Sequence, residues 1–443
     1  MHDSVSEAMG SPHSSGWAAR PVILRKLILW VLCVLMFELA LIAIAPKLRS
    51  DSVWKLAKNA MEARIVFDDT TVYMAQADRA AQLSPNRIYE TVFFQRHVRY
   101  IYPPTALLLY RFWQWGGRVG IRPASLMNAM LIAALWGSFA IAGQFFLDVA
   151  GKHSAQPWSQ RDRWLARALV ALLGLTFLPL VNAYCLGQMQ TLINCALIAS
   201  AFLWMRDRRV VPGVLVGLTC LLKPQASLFL LWGLLRRQWS FSASLCTVVA
   251  LGAALSVAIF GWHNHVAYLQ VVHFLSRHGD SFAANQSWNG LAHRLLHVGI
   301  SNYAMPTTLY PPYNAAIYWS TLANSVLLVL AALIVPQVQS AAGGTRDFLL
   351  FAMATVMASP IAWEHHYGVF FLVFLAWMPF ALRTGKSFAG LLVLYLLMAS
   401  TMAPIHPLLL TRWTFLISHV WIGGMLLFSM TLLLPRWLDA QEY

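Results

Sequence analysis

The chain is poor in charge. Of its 443 residues, 11% are Asp, Glu, Lys or Arg, against about 25% in soluble domains. Acidic residues are scarcest, 17 in all. A soluble enzyme is thereby excluded: 59% of residues are hydrophobic and the mean hydropathy is +0.59, more apolar surface than a water-facing fold can hide. Cysteine is also scarce. Cys33, Cys185, Cys195, Cys220 and Cys246 all lie in or beside apolar runs, which excludes a disulfide framework. No low-complexity tract or internal repeat is present, and 13% aromatic residues exclude a disordered chain. Sustained period-two alternation is missing, so a β-barrel is excluded as well. What remains is an all-α polytopic membrane protein.

Net charge is +15. Nucleic acid is excluded as a partner, because the basic residues form no stripe and instead flank apolar runs, as cytoplasmic loops do. Residues 1–26 read as a cytoplasmic tail, and Arg25 and Lys26 precede an anchor at 27–45. Eleven further apolar runs follow: 123–148, 164–182, 188–205, 210–222, 224–235, 241–260, 312–336, 347–363, 367–382, 388–403 and 411–434. About twelve transmembrane helices are expected, in one domain over 27–434 with a short tail at 435–443. Short inside segments hold 16 Lys or Arg and short outside loops hold four: Lys223, Arg277, Arg294 and Arg412. Both termini are therefore placed inside a bacterial-type inner membrane. Two larger loops, 46–122 and 261–311, face outward. The patch 106–115 is too short to span and reads as an interfacial helix with Arg111, Trp113 and Trp115 at headgroup depth.

The scarce charge concentrates on the outer side. Six of the 17 acids lie in the first loop, among them Asp68 and Asp69. The twin acids are either a capped helix start or a general base at a membrane-surface cleft. Tyr73 stands four residues after Asp69, on the same helical face. Tyr102-Pro103-Pro104 fixes an extended lead into the interfacial helix. Lys223, in a Lys-Pro turn between two short runs, is either a snorkelling helix end or an anion contact. Arg294 is a solvated face or a second such contact. Gln188 is a helix-start polar residue or a sugar contact. His365 and His366 are interfacial polar residues or donors, and adjacent positions on a helix point about 100° apart. Asn285-Gln286-Ser287 fits an Asn-x-Ser acceptor pattern, a match taken as accidental. Glu38, alone in the middle of a span, is expected to face the bundle interior.

The order and spacing of these motifs resemble glycosyltransferase family 87, membrane transferases of the GT-C fold that use polyprenyl-phosphate sugars. The resemblance runs from about residue 27 to 380. It is carried by Asp69-x-x-Val72-Tyr73, Tyr89, Tyr102-Pro103-Pro104, Gly187-Gln188, Leu222-Lys223-Pro224, Asn285-Gln286-Ser287 with Arg294, and Ser359 through Tyr367. Thr70, Ser84-Pro85 and Glu364 depart from the family's usual residues. The resemblance implies Asp69 as general base, with Asp68 as the alternative. It implies Tyr73, Tyr102, Gln188, Lys223, Gln286, Arg294, His365 and His366 as substrate contacts, the cations offsetting charge on a phosphate leaving group. It implies no metal and no cofactor, the lipid-linked sugar being a substrate.

The expected activity is inverting transfer of a hexose, mannose by the resemblance, from a polyprenyl phosphate to a lipid-linked or envelope glycan on the outer face. Membrane lipid is the surrounding partner. The competing reading is a transporter or flippase, which twelve helices suit, although repeats and charged groups at the midplane are lacking. A glycan polymerase or ligase is disfavoured because the larger outer loop comes first.

Overall fold

A computed structural model describes residues 20–44, 52–296 except 155, 310–335 and 341–433 except 386, 402–404, 406 and 409–410; the side chains of Asp69 and of residues 341–343 are outside the description. The tails at 1–19 and 434–443 lie outside the described residues. Among the described residues the fold is all helical, with a lone backbone bridge between Asn285 and Trp363.

Helix α1 (Val22–Ile44) is followed by three shorter helices in the first loop: α2 (Val53–Met61), α3 (Asp69–Leu83) and α4 (Ala106–Arg118). Then come α5 (Pro123–His153), α6 (Gln160–Thr176), α7 (Leu178–Cys185), α8 (Gln190–Met205), α9 (Val210–Leu222), α10 (Leu228–Leu235) and α11 (Trp239–Phe260). The second loop contributes α12 (Trp262–His278) and α13 (Trp288–Leu296). The chain closes with α14 (Ala315–Ile334), α15 (Ala341–Met357), α16 (Phe370–Thr384), α17 (Phe388–Ala399) and α18 (His419–Leu433). Short 3-10 turns at Pro224–Ser227, Glu364–Val369 and Thr414–Ser418 precede α10, α16 and α18.

Among the described residues six segments are long and apolar enough to cross a membrane: Val22–Ala43, Pro123–His153, Trp239–Phe260, Ala315–Ile334, Glu364–Thr384 and Thr414–Leu433. The run expected at 164–182 is broken instead. Pro179 opens a new helix after Phe177, and α6 and α7 meet at 65°, a seventh span if the pair is counted as one. The runs near 188–205, 210–222, 224–235 and 388–403 form shorter apolar helices.

The bundle is built around α16, which is apolar on every face and buried from Phe370 to Pro379. A helix without a polar face belongs inside, and here α5, α1 and α17 cover it. Helices α9 and α11 approach closely because Gly213 and Gly217 sit four apart on one face. A Cβ at Gly213 would lie 2.4 Å from the Phe241 carbonyl oxygen, and one at Gly217 would lie 2.9 Å from Val248 Cβ. Small residues at this spacing are a common device of membrane helix pairs. Helix α4 forms over the expected patch; Trp113 is buried against protein, and its indole N–H meets Met130 Sδ at 3.1 Å. Arg111 pairs with Asp78 at 2.7 Å and lies over the Phe260 ring, while Trp115 is exposed. Glu38 is buried, as expected.

Candidate active site

The first loop returns to the bundle at Gly187. Backbone N–H groups of Val66 and Phe67 donate to the Cys185 carbonyl at 2.8 and 3.0 Å, holding the chain just before the acidic pair against the end of α7. Gly187 has φ +62°, and a Cβ there would stand 2.9 Å from the Phe67 carbonyl oxygen and 3.4 Å from Asp68 Cα. Glycine meets both demands, a left-handed backbone and close contact. Asp68 caps α3, its Oδ1 accepting from the Thr71 N–H at 3.1 Å. The capping reading of the twin acids therefore holds for Asp68, whose carboxylate spends one oxygen on the helix start. Asp69 is the first residue of α3, and its side chain lies outside the described residues.

Past Gly187 the turn places two glutamines. The Tyr102 hydroxyl donates to Gln188 Oε1 at 2.8 Å, and the Tyr89 hydroxyl donates to the Tyr102 carbonyl at 2.7 Å. The extended Tyr102-Pro103-Pro104 segment thus enters α4 with both its side chain and its backbone anchored. Gln190, at the start of α8, accepts from Lys223 Nζ at 2.7 Å through Oε1. Lys223 is the extended residue that ends α9, and its Nζ also lies 2.5 Å from His366 Nε2. Lys223 stands in the break between α9 and the Pro224 turn, and burial pulls its ammonium down to about 7.

Lys223 and His366 line a cavity of about 430 Å³ together with Tyr102, Tyr268, Ser359 and Trp363. Lys223 is the one Lys or Arg in that lining, and the lining holds no Asp or Glu among the described residues. Leu222, its neighbour, also lines a second cavity of about 520 Å³ between α4, α5, α8 and α9, walled by residues such as Leu108, Ala134, Ile193 and Leu218. A largely apolar chamber that holds a single cation thus abuts a second apolar one across one residue.

Two motifs separated by some 70 residues form a single unit here. Asn285 Oδ1 accepts from the Ala362 N–H at 3.0 Å, the Gln286 N–H donates to the Ala362 carbonyl at 2.8 Å, and Ser287 Oγ donates to the Pro360 carbonyl at 2.8 Å. The loop 285–287 therefore clamps the segment that delivers Trp363, His365 and His366. Gln286 serves the frame: its Nε2 donates to the Ile417 carbonyl at 2.8 Å and its Oε1 accepts from the Val420 N–H at 3.2 Å. Arg294 does likewise, donating to Ser418 Oγ and the Asn285 carbonyl at 2.7 and 2.8 Å. It is fully buried, and desolvation draws its guanidinium down to about 10. The solvated-face reading of Arg294 therefore fails; it is an internal strut beside the site. His365 and His366 stand with rings 4.8 Å apart at 87°, and only His366 lines the cavity. Tyr73 lies near Tyr310, which stacks under Arg99.

Three side chains of the site have no counterpart in the sequence reading. Gln190 and Asn194 lie inside an apolar run. Asp280, buried, accepts from Trp363 Nε1 at 3.1 Å and Arg99 at 3.4 Å, fixing the indole that walls the cavity. Its signal is the Gly279-Asp280 pair after α12, where an acid follows a glycine with φ +66°. Among the described residues no three His, Cys, Asp or Glu side chains converge as they would around a metal ion.

The family model of glycosyltransferase family 87 matches residues 100–360, more than half of the chain. The chain belongs to glycosyltransferase family 87. No curated protein and no solved structure matches it. A family 87 assignment makes the protein a glycosyltransferase, and its apolar helices fit a multi-pass membrane protein. The matched region takes in Tyr102, Gln188, Lys223, Gln286 and Arg294 and ends at Pro360; Asp68, Asp69 and Tyr73 precede it, and His365 and His366 follow it.

Proposed function

We propose that the protein transfers a hexose, mannose in the leading reading, from a polyprenyl phosphate donor to a lipid-linked or envelope glycan on the outer face of a bacterial-type inner membrane. The observation that carries this reading is the position of Lys223. It is the single ammonium of a cavity that shares Leu222 with a second, apolar one. An amphiphile with its phosphate at Lys223, its sugar beside Tyr102, Tyr268 and Trp363 and its prenyl chain along the apolar walls suits that pair of spaces. Trp363, Tyr102 and Tyr268 offer the aromatic and hydroxyl surface a sugar ring uses.

In this reading an acceptor hydroxyl attacks the anomeric carbon as the bond from that carbon to the phosphate oxygen breaks. The hydroxyl proton passes to the Asp69 carboxylate, with Asp68 as the alternative base, and polyprenyl phosphate leaves as an anion. One displacement inverts the anomeric centre. Lys223 and His366 meet the charge that develops on the leaving phosphate, where a group already oriented is worth most. Gln188 and Tyr102, hydrogen-bonded to each other, contact the substrate in this reading. Gln286, Arg294 and His365 act on the site through the frame they support, and Tyr73 borders it. The carrier lipid is a substrate, and the reaction as written uses no cofactor or metal. Twelve crossings with both termini inside, the short helices included, complete the topology.

The test is an assay of the purified full-length protein with radiolabelled polyprenyl-phosphate hexoses and extracted membrane glycolipids. Label moving from donor into glycolipid supports the reading. Substrate movement across proteoliposomes with no sugar transfer would support the transporter reading instead.

A further inference from the structure

An ammonium has three N–H donors and no acceptor. Lys223 donates one to Gln190 Oε1 at 2.7 Å and, with His366 in the tautomer whose Nε2 carries no hydrogen, a second to His366 Nε2 at 2.5 Å, which leaves one for the cavity it lines. The end of the Gln190 amide that faces Lys223 therefore matters. An oxygen accepts from the ammonium, whereas an NH₂ group would oppose it.

Gln190 cannot set its own orientation, because an amide turned by half a rotation occupies the same space. The bonds behind it set it. Asn194 Nδ2 donates to the backbone carbonyl of His365 at 3.1 Å, a group that can only accept. Asn194 Oδ1 must then face Gln190 Nε2, and it does, at 2.9 Å. Gln190 Oε1 is thereby turned to Lys223. Both amides are buried, Gln190 3% and Asn194 1% exposed. Asn194 is walled in by Gly368, where a Cβ would lie 2.3 Å from the Asn194 carboxamide.

We infer that Gln190 and Asn194 are positioning residues, a two-amide relay referenced to the His365 carbonyl that presents an acceptor to Lys223 and keeps its ammonium charged and aimed at an anionic occupant of the cavity. This rests on reading that occupant as the donor phosphate. The titratable groups around Lys223 are His365 and His366 from the turn before α16, Tyr102 from the segment before α4 and Tyr268 from α12. Among the described residues the cavity lining has no carboxylate to stabilise the charge. Burial draws Lys223 down to about 7, close to neutrality, where its charge is sensitive to each acceptor it meets.

The test is competitive acetylation of the purified full-length protein across a pH series, read by mass spectrometry as the titration midpoint of Lys223. Gln190→Met and Asn194→Leu should lower the midpoint, and Gln190→Glu, the same size but anionic, should raise it, each by about one pH unit. Where donor turnover is measured in parallel, the alkaline limb of kcat/KM should move with the midpoint. A loss of activity without movement, or movement in the same direction for Gln190→Met and Gln190→Glu, overturns the relay. If Gln190→Met does not fold, the isosteric Gln190→Glu alone decides: an unmoved midpoint overturns the relay. Shifted midpoints in a protein that transfers no sugar would leave the relay standing and remove the transferase reading; transfer with unmoved midpoints would do the reverse.

Discussion

The Phe67 carbonyl oxygen stands 2.9 Å from the point where a Gly187 side chain would begin. Across this contact the segment that carries the acidic pair docks on the turn that presents Gln188 and Gln190. Gly187→Ala should strain a backbone at φ +62° and push the loop outward. We expect a loss of about 1–3 kcal/mol in stability and a larger proportional loss in transfer, because the base then sits off its path. Thermal unfolding beside a turnover assay checks this; full activity in Gly187→Ala would detach the loop from the site.

Lys223 gives a pH dependence of defined sign. In the proposed reaction its ammonium is the form that offsets phosphate charge, and burial brings its deprotonation to about 7. The free-enzyme profile, kcat/KM, should therefore fall as pH rises through about 7. Lys223→Met should lower the rate at every pH and erase that limb. A limb that persists in Lys223→Met belongs to another group.

Tyr102→Phe removes one hydroxyl and leaves the ring. The hydrogen bond to Gln188 Oε1 at 2.8 Å is lost, about 1 kcal/mol of stability. Turnover should drop several-fold with little change in fold, measured by kcat and Tm together. Unchanged turnover would make Gln188 a helix-start residue only.

Gly368→Ala tests the wall behind the relay. A methyl group placed 2.3 Å from the Asn194 carboxamide must displace it, costing about 1–3 kcal/mol as overpacking. The Lys223 titration midpoint should fall as it does in Asn194→Leu. A lowered Tm with an unmoved midpoint would show that Asn194 keeps its bonds some other way.

Much of this site can be read in the linear chain, and the limits have physical causes. Lys223 stands out because a lone charge between two apolar runs is costly unless it is used. Gly187 and the Tyr102-Pro103-Pro104 segment announce backbone constraints that depend on neighbours in sequence. Gln190 and Asn194 do not stand out, since amides four apart inside an apolar run look like any helix start; their partners are Lys223 and the carbonyl of His365, 33 and 171 positions away. Arg294 and Gln286 are visible as polar residues of an outer loop, but burial and the Ser418 and Ile417 contacts make them struts. Trp113 shows the same limit in the fold. An amphipathic pattern says that α4 has an apolar face, not whether lipid or protein covers it. The break at Phe177 had a local signal in Pro179, which hydropathy averages away.

Asp69 as the acceptor's base is the central claim, and one measurement bears on it most directly: single-turnover transfer from a radiolabelled polyprenyl-phosphate hexose by the wild-type protein and by Asp69→Asn, at equal amounts of folded protein. The wild type should transfer the sugar and Asp69→Asn should lose about 10²–10⁴-fold, with donor binding retained. Full-rate transfer by Asp69→Asn would contradict the claim.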